Sequence, residues 1–386
     1  MRDLIKVFQE KFNASPTAGA SAPGRLEILG NHTDYNEGIV LSCAVDQRTS
    51  VVMAANHSSM VQLYDLRAGE SAVFDVQNLT NTIRPKWANY PAGVVSELQA
   101  RQLSVGGFDA VISSNVPLSA GMSSSAAFET AILFGLMQLY KLDVTRADAA
   151  RIGQGVENNF LGVKTGLLDQ FSSIFGVSNS FILSDFRTVE VLGTIPMTGN
   201  AGILVVNSMQ KHDLVDSAYN GRRAACESAA AKLAARHQTV KTLRDVSGEL
   251  LESEKSLLSD IEYRRAKHVV QECERVQRAV EYLKNNDLQS FGALWWESHE
   301  SSRVNFENST PALDKIVEFS HQLPGALGAR LSGGGFGGIT VHLVQNDHLA
   351  EYQDKITGLY KDYCNITPET IVCHPGRGAV SETLTA

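Results

Sequence analysis

The feature that most constrains the fold is an apolar helical segment at residues 123–142. Its central part, AAFETAILFGLMQLY, is apolar on most sides of a helix. A helix of this kind is usually buried all round, yet no segment reaches the roughly 18 apolar residues that span a bilayer. The sequence therefore predicts a helix enclosed by other elements of a folded core, and no membrane partner.

Short strands on the N-terminal side of this helix are candidates to enclose it. Runs rich in β-branched residues predict strands of one sheet at residues 50–55, 61–66, 73–76 and 109–113. Because 386 residues exceed one ordinary compact core, two domains are expected. We predict a boundary near residue 190, with domains at 1–190 and 191–386.

Charge and cysteine usage exclude several classes of function. The chain carries 34 Lys plus Arg against 42 Asp plus Glu, a net charge of −8, which argues against nucleic acid as a partner. Its 5 cysteines are far apart and form no C-x-x-C pair, so neither a disulfide framework nor a zinc site is suggested. Charged residues interrupt the first twelve positions, so no signal peptide is expected. These features predict a cytoplasmic protein.

The segment VPLSAGMSSSAA, residues 116–127, lies between a predicted strand and the apolar helix. Small residues let the backbone approach a ligand, and a helix start offers unpaired N–H groups and partial positive charge. A phosphate fits such a site. The segment lacks the lysine of the G-x-x-x-x-G-K-[ST] loop, so a triphosphate would need amides and a divalent cation. Taken by itself, the segment could equally be a serine-rich N-cap.

The segment RLEILGNHTDYNEG, residues 25–38, concentrates directional polar groups after a short predicted strand. A guanidinium, an imidazole, a carboxylate, a phenol and amides are the groups that recognise a hydroxyl-rich ligand. A sugar is the natural candidate. Without its neighbours the segment would read as a solvated turn, in which Asp34 and Asn36 form Asx turns.

A third segment, GVKTGLLDQFSSIFG at residues 162–176, places Asp169 at the start of an apolar helical run. Asp169 could accept a proton from an attacking hydroxyl, or it could be a plain N-cap. Glu157 lies in the preceding predicted helix. By itself it would be an ordinary solvated residue, and a metal-binding role is suggested only together with the neighbouring segments. The run SGGGFGG, residues 332–338, is by itself more typical of a tight connection than of a ligand site.

Together these segments resemble the GHMP family of small-molecule kinases and, within it, the galactokinases. The resemblance rests on APGRLEILGNHTDYNEG (22–38), VPLSAGMSSSAAFE (116–129), GLLDQF (166–171) and SGGGFGG (332–338). These motifs follow the family's order and spacing over nearly the whole chain. The stretch HTDYN with a following glycine separates galactokinases from other GHMP kinases.

The resemblance implies an α+β, two-domain fold. The N-terminal domain would be like the second domain of ribosomal protein S5, and the C-terminal domain would be ferredoxin-like. The implied reaction transfers the γ-phosphoryl group of ATP to the anomeric C1 hydroxyl of galactose, giving galactose 1-phosphate and ADP. The expected partners are a small sugar and ATP, and the expected state is a monomer.

The family's functional residues map onto this chain by motif. Asp169 matches the catalytic base, and Arg25 matches the guanidinium that stabilises charge beside it. Ser125 and Glu157 match the residues that hold Mg²⁺. The positions that match the sugar site are Asn31, His32, Thr33, Asp34 and Tyr219. The positions that match the ATP phosphate loop are Ser119, Ala120, Gly121, Met122, Ser123, Ser124 and Ser125.

One departure from the family pattern concerns the substrate. Galactokinases typically read GEHTDY, with a glutamate associated with the sugar's C6 hydroxyl, where this chain has Asn31; the family's asparagine two residues after the arginine is here Glu27. In an extended segment positions 27 and 31 share a face, so the exchange could compensate. An amide also repels a C6 carboxylate less. Galactose is the leading substrate; galacturonic acid and a non-catalytic sugar sensor are the alternatives.

Overall fold

The computed structural model describes residues 1–118, 121–211 and 215–385. This part of the chain contains helices and the strands of two β-sheets, which confirms the predicted α+β class. Ser119 and Ala120 of the predicted phosphate loop lie outside the described residues. No described helix is long and apolar enough to cross a membrane.

The first sheet is built mainly from the N-terminal half of the chain. Its strands include β1 (Ala18–Leu29), β2 (Ile39–Ala55), β3 (Met60–Asp65), β4 (Glu70–Asp75), β5 (Phe108–Ser114), β6 (Ser180–Asp185) and β7 (Glu190–Pro196). Strand β2 is long enough to pair with β1, β5 and β6, and β3 pairs with β5 in parallel. The four predicted strands are confirmed.

The second sheet comes from the C-terminal half. Its order is β11-β8-β10-β9, with β8 (Ala201–Lys211), β9 (Ala326–Ser332), β10 (Gly337–Gln345) and β11 (Glu369–Cys373). The last strand, β12 (Val380–Thr383), returns to the first sheet and pairs with β1. Strand β7 lies across the predicted boundary and belongs to the first sheet, and the division of the chain near residue 190 stays a prediction.

The described helices cover the two sheets. They are α1 (Arg2–Phe12), α2 (Asn89–Ala100), α3 (Ser124–Tyr140), α4 (Arg146–Gly155), α5 (Leu168–Phe175), α6 (Val215–Ala234), α7 (Gly248–Ser253), α8 (Asp260–Lys284), α9 (Leu288–Ser301), α10 (Pro311–Ser320) and α11 (Leu349–Cys364). Helix α3 packs on β1 and β2 on one side and on α2, α4 and α5 on the other. Its apolar sequence is thereby enclosed, as predicted.

Strand β1 is the main correction to the sequence-based expectation. Residues 15–24, SPTAGASAPG, are rich in Pro, Gly and Ser, which predicts a turn that leads into the polar segment at 25–38. Instead all twelve residues of β1 are buried. A register shift between Pro23 and Arg25 accommodates the proline. Pairing with β2 and β12 supplies hydrogen-bond partners for the backbone of the rest of the strand. Arg25 and Glu27 therefore project from a rigid central strand.

Candidate active site

Two cavities lie near the start of α3. The first, called the polar cavity, encloses about 120 Å³ and is lined by Arg25, Glu27, Asn31, His32, Asp34, Thr165, Gly166, Leu168, Asp169, Tyr219, Gly333 and Gly334. The second, called the aromatic cavity, encloses about 450 Å³. Its walls include Trp87, Tyr90, Phe128, Arg67, Ser124 and Ser125.

The carboxylate of Asp169 is held from two sides at the edge of the polar cavity. Arg25 donates from Nε and approaches with Nη2 to the same oxygen, Oδ1, at 2.8 and 2.6 Å. Ser123 donates its hydroxyl to the other oxygen, Oδ2, at 2.5 Å. Asp169 remains 31% exposed at its side chain while Arg25 is 6% exposed. The carboxylate is thus charge-paired and oriented, yet reachable from the cavity.

Strand β1 also fixes the loop that precedes α3. Arg25 donates from Nη1 to the carbonyl oxygen of Gly121 at 2.6 Å, and its backbone N–H donates to that of Met122 at 3.1 Å. A Cβ at Gly24 would meet the Met122 oxygen at 2.6 Å, so only glycine permits this approach. Gly121 itself has φ +64°. The loop carries the helix start, with its unpaired N–H groups, between the two cavities.

The pair predicted to bind Mg²⁺ lies together behind that helix start. Ser125 donates to Oε1 of Glu157 at 3.2 Å, and Thr165 donates to Oε2 at 2.6 Å. Glu157 is buried and belongs to a π-helical turn, Val156–Leu161, that ends α4. Burial, with the nearby Asp169 charge, raises the pKa of Glu157, which is the environment in which a cation would replace a proton.

A second buried carboxyl group lies near Glu157 and was not expected from the sequence. Glu129, on α3, accepts a hydrogen bond from Nε2 of Gln170 at 2.7 Å. Burial first, and then the charge of Glu157, raise the pKa of Glu129 well above its usual value. Burial therefore disfavours the charged form of Glu129 beside Glu157.

Asn31 and Glu27 are in direct contact, but Asn31 lies in the turn after β1 ends at Leu29, so the contact comes from the turn at Gly30 and not from a shared strand face. Nδ2 of Asn31 donates to Oε1 of Glu27 at 2.9 Å and to the carbonyl of Gly333 at 2.8 Å. Arg330, which is fully buried, donates from Nη2 to the same Glu27 oxygen at 2.8 Å. Burial raises the pKa of Glu27, and Arg330 opposes that rise.

His32 and Tyr219 form part of an aromatic wall of the polar cavity. Burial lowers the pKa of His32 to about 3, so its ring is neutral. Nε2 then donates to the carbonyl of Gly334 at 3.2 Å, and Nδ1 accepts from the hydroxyl of Tyr35 at 2.9 Å. The rings of His32 and Tyr219 lie 5.2 Å apart. Both predicted residues line the cavity.

Thr33 is an exception among the predicted sugar-site residues. Its side chain is fully buried and is not part of the cavity wall. The hydroxyl lies 2.8 Å from the carbonyl oxygens of both Gly30 and Ile39. Thr33 therefore closes the turn that presents its neighbours. Its contact with the sugar stays a prediction, and in the structure its only hydroxyl is used within the turn.

Asp34 lies on the cavity wall beside the 166–169 segment. A Cβ on Gly166 would fall 1.6 Å from Oδ2 of Asp34, so the backbone of that segment rests against the carboxyl group. Burial raises the pKa of Asp34 to about 6. The Asp34 carboxyl group therefore gains or loses its proton near pH 6.

Several residues that support this site were not predicted from the sequence to do so. Glu272 on α8 accepts the backbone N–H groups of Gly30 and Asn31, both at 3.0 Å. Its charge is compensated by Arg275 at 2.6 Å. His268, one turn earlier, lies 3.2 Å from the carbonyl oxygen of Asn31. A long-range contact of this kind, from a helix some 240 residues away, cannot be read from local spacing.

The aromatic cavity is less polar than its neighbour. The rings of Trp87 and Tyr90 each meet Phe128 edge to face, at 6.1 and 6.2 Å between centroids. The indole nitrogen of Trp87 donates to Glu70 at 3.2 Å. Arg67 lines the same cavity and is fixed by donation to the carbonyl of Val116 at 2.7 Å. A flat aromatic ligand with an anionic group toward Ser124 and Ser125 suits this shape.

Comparison with known families agrees with the motifs. A galactokinase galactose-binding signature matches residues 6–55. The N terminal domain of GHMP kinases matches residues 89–177, and the C terminal domain of GHMP kinases matches residues 279–362. The two halves of the chain are therefore those of the GHMP kinases.

Individual relatives match over almost their whole length. A galactokinase of Glaesserella parasuis is 38% identical over 376 residues, which is 96% of both chains, and one of Chloroflexus aurantiacus is 35% identical over 375 residues, 97% of this chain and 96% of its own. The crystal structure of Lactococcus lactis galactokinase complexed with galactose superposes with a TM-score of 0.91, at 28% identity, over 97% of this chain and 98% of that chain. Methanococcus jannaschii mevalonate kinase, at 18% identity, has a TM-score of 0.63 over 94% and 99% of the two chains and shares the fold.

Proposed function

Because this chain belongs to the galactokinase family of GHMP kinases, we propose that it transfers the γ-phosphoryl group of ATP to the C1 hydroxyl of galactose. The products are galactose 1-phosphate and ADP. The position of residues 123–125 carries the proposal. Ser123 bonds Asp169 at the polar cavity, while Ser124 and Ser125 line the aromatic cavity. A phosphate at this helix start would lie between a sugar and a nucleobase.

Asp169 is suited to receive the proton of the C1 hydroxyl. Its Oδ2 accepts a hydrogen bond from the hydroxyl of Ser123, and a sugar hydroxyl at that position would contact the same oxygen. As the oxygen–phosphorus bond forms, the proton passes to Asp169 and ADP leaves. Arg25 compensates the carboxylate charge before transfer and keeps its orientation. Placement and charge compensation supply most of the catalysis in such reactions.

Ser125 and Glu157 are the residues that would hold Mg²⁺. They offer a hydroxyl and a carboxylate oxygen, and Mg²⁺ commonly takes few protein ligands beside water and phosphate oxygens. Among the described residues no cluster of three or more His, Cys, Asp or Glu side chains is placed to hold a metal, which fits a cation shared with ATP. When bound, the cation would neutralise charge on the phosphate oxygens.

The two alternatives are less well supported. Galacturonic acid would bring a carboxylate into a cavity already lined by Glu27, Asp34 and Asp169, and both Asn31 amide protons are used within the protein. A sensor that binds without transferring does not require Asp169 to be oriented by Arg25 and Ser123. Galactose kinase activity is therefore the function that the site supports best.

The test is an ADP-release assay with ATP, Mg²⁺ and a panel of sugars. Galactose is expected to give the highest kcat/KM among galactose, galacturonate, N-acetylgalactosamine, fucose and glucose. Tight galactose binding without ADP release would favour the sensor instead. Preference for galacturonate would overturn the substrate assignment.

A further inference from the structure

One departure of this chain from the family pattern is the exchange at positions 27 and 31. The family's usual asparagine and glutamate are replaced by Glu27 and Asn31, and the two side chains touch at 2.9 Å. Both line the polar cavity. Which of them can still bond a sugar hydroxyl is decided by the hydrogen bonds that each already makes.

The amide protons and the amide oxygen of Asn31 already have hydrogen-bond partners within the protein. Its two Nδ2 protons go to Glu27 and to the carbonyl of Gly333. Its Oδ1 accepts from Nδ2 of Asn308 at 3.1 Å. The residue is only 1% exposed. Since an amide has two protons, Asn31 has no donor left for a ligand. Its side chain instead helps to hold Glu27 in place.

Glu27 keeps one oxygen available. Oε1 accepts from Arg330 and Asn31, whereas Oε2 accepts no hydrogen bond from any residue that the structure describes. Arg330 also donates to the backbone carbonyls of Glu27 and Ile28, at 3.3 and 2.7 Å, so the carboxylate cannot turn freely. The cavity therefore contains an oriented carboxylate oxygen that can accept a hydrogen bond.

The position of Glu27 relative to Asp169 selects the part of the sugar that it meets. Arg25, which holds Asp169, and Glu27 pair with Ala44 and Ser42 of β2 without a register shift between them. They therefore lie on one face of β1, about 6.6 Å apart along the strand. A hexose with its C1 oxygen at Asp169 would extend toward Glu27. Of its hydroxyls only the one on C6 lies outside the ring, where rotation about the C5–C6 bond can bring it to a fixed acceptor.

We propose that Glu27, and not the residue at position 31, determines specificity by accepting a hydrogen bond from the C6 hydroxyl of the sugar. This inference rests on the proposed function, because it takes C1 as the reacting end. It assigns Asn31 and Arg330 to the positioning of Glu27. A sugar without a C6 hydroxyl leaves the carboxylate unpaired, and a C6 carboxylate meets like charge.

The test compares kcat/KM for galactose, 6-deoxygalactose and 4-deoxygalactose in the wild type and in Glu27→Gln. A buried bond to a charged acceptor implies that the variant loses about 10- to 100-fold of the preference for galactose over 6-deoxygalactose. The preference over 4-deoxygalactose should stay within about threefold. Each ratio is measured on one preparation, so it does not depend on the folded fraction.

Two further variants keep the test decisive. Glu27→Asp retains a charge for Arg330 but shortens the side chain, and it should lose the C6 preference as well. Asn31→Ala leaves Arg330 to hold Glu27, so it should reduce the C6 preference less than either Glu27 variant does. An unchanged C6 preference in both Glu27 variants, or a loss of that preference in Asn31→Ala alone, would overturn the inference. A wild type that releases no ADP with galactose would instead overturn the proposed function.

Discussion

The two cavities differ in how their walls are held. In the polar cavity nearly every side chain that could meet a sugar is fixed by another polar group, as Asn31 is by Glu27, Gly333 and Asn308. The aromatic cavity is larger and is bounded by Trp87 and Phe128, which pack by their edges. The first is arranged to recognise hydroxyl positions, and the second to accept a flat ring by contact area.

This difference has an energetic consequence. A buried polar group that loses its partner costs the full desolvation penalty, so a wrong sugar in the polar cavity is rejected strongly. Loss of one aromatic contact costs less, because neighbouring rings still cover the ligand. Changes in the polar cavity should therefore affect catalysis and stability more than changes in the aromatic cavity.

The largest effect is expected from Asp169→Asn. An amide cannot accept the C1 proton, so kcat should fall about 10²- to 10⁴-fold, while the Kd values for galactose and ATP change little. Steady-state kinetics and calorimetric titration measure the two quantities. Asp354→Asn, on the exposed surface of α11, is the matched control and should behave as wild type. A variant that retains kcat would remove Asp169 from the role of base.

Arg330→Met tests the buried charges behind the polar cavity. Removing the guanidinium leaves Glu27 buried without its counter-charge, which should lower the free energy of unfolding by about 3–5 kcal/mol. Urea denaturation measures the change. The control is Arg278→Met, whose pair with Glu297 is 48% and 43% exposed, and about 0–1 kcal/mol is expected there. Equal losses in the two variants would contradict the contrast between buried and exposed pairs.

The fall in kcat/KM at acid pH should reflect protonation of Asp34. Its pKa is raised to about 6 by burial, so the protonated form accumulates as pH falls through that value. If the ionised carboxylate accepts sugar hydroxyls, kcat/KM for galactose falls about tenfold per pH unit below pH 6. The limb should be missing in Asp34→Asn. A wild-type profile that stays flat down to pH 5 would show that Asp34 does not need its charge.

The smallest effect is expected in the aromatic cavity. Trp87→Ala should raise the KM for ATP about three- to tenfold by removing one ring contact, and leave the KM for galactose within twofold. Trp296→Ala, where the indole stacks on His321 at 3.8 Å, serves as the matched tryptophan control. A larger change in the galactose KM than in the ATP KM would reverse the assignment of the two cavities.

The sequence predicted the helices and several strands because apolar periodicity is a local property. It missed β1, since Pro23 and Gly24 are typical of turns and only pairing with β2 and β12 makes them part of a strand. Helix α4 continues into the π-helical turn that positions Glu157. No local signal distinguishes such a turn from regular helix.

Several residues that the motifs singled out line one cavity in the structure, but the motifs do not separate residues that would contact a ligand from residues that support the cavity wall. Thr33 belongs to the sugar motif and yet only closes a turn. Glu27 was noticed only as a departure from the family pattern, and its importance depends on Arg330, some 300 residues later. Residues such as Glu272 act through long-range contacts, which a single sequence does not record. The Mg²⁺ assignment, the monomeric state and the cytoplasmic location remain predictions.

The most direct test of the central claim is the identity of the phosphorylated product. The protein, incubated with galactose, ATP and Mg²⁺, should yield a sugar phosphate whose phosphorus couples to the anomeric proton in a ³¹P–¹H NMR correlation. Coupling to the C6 protons, or release of inorganic phosphate without a sugar phosphate, would contradict the placement of C1 beside Asp169.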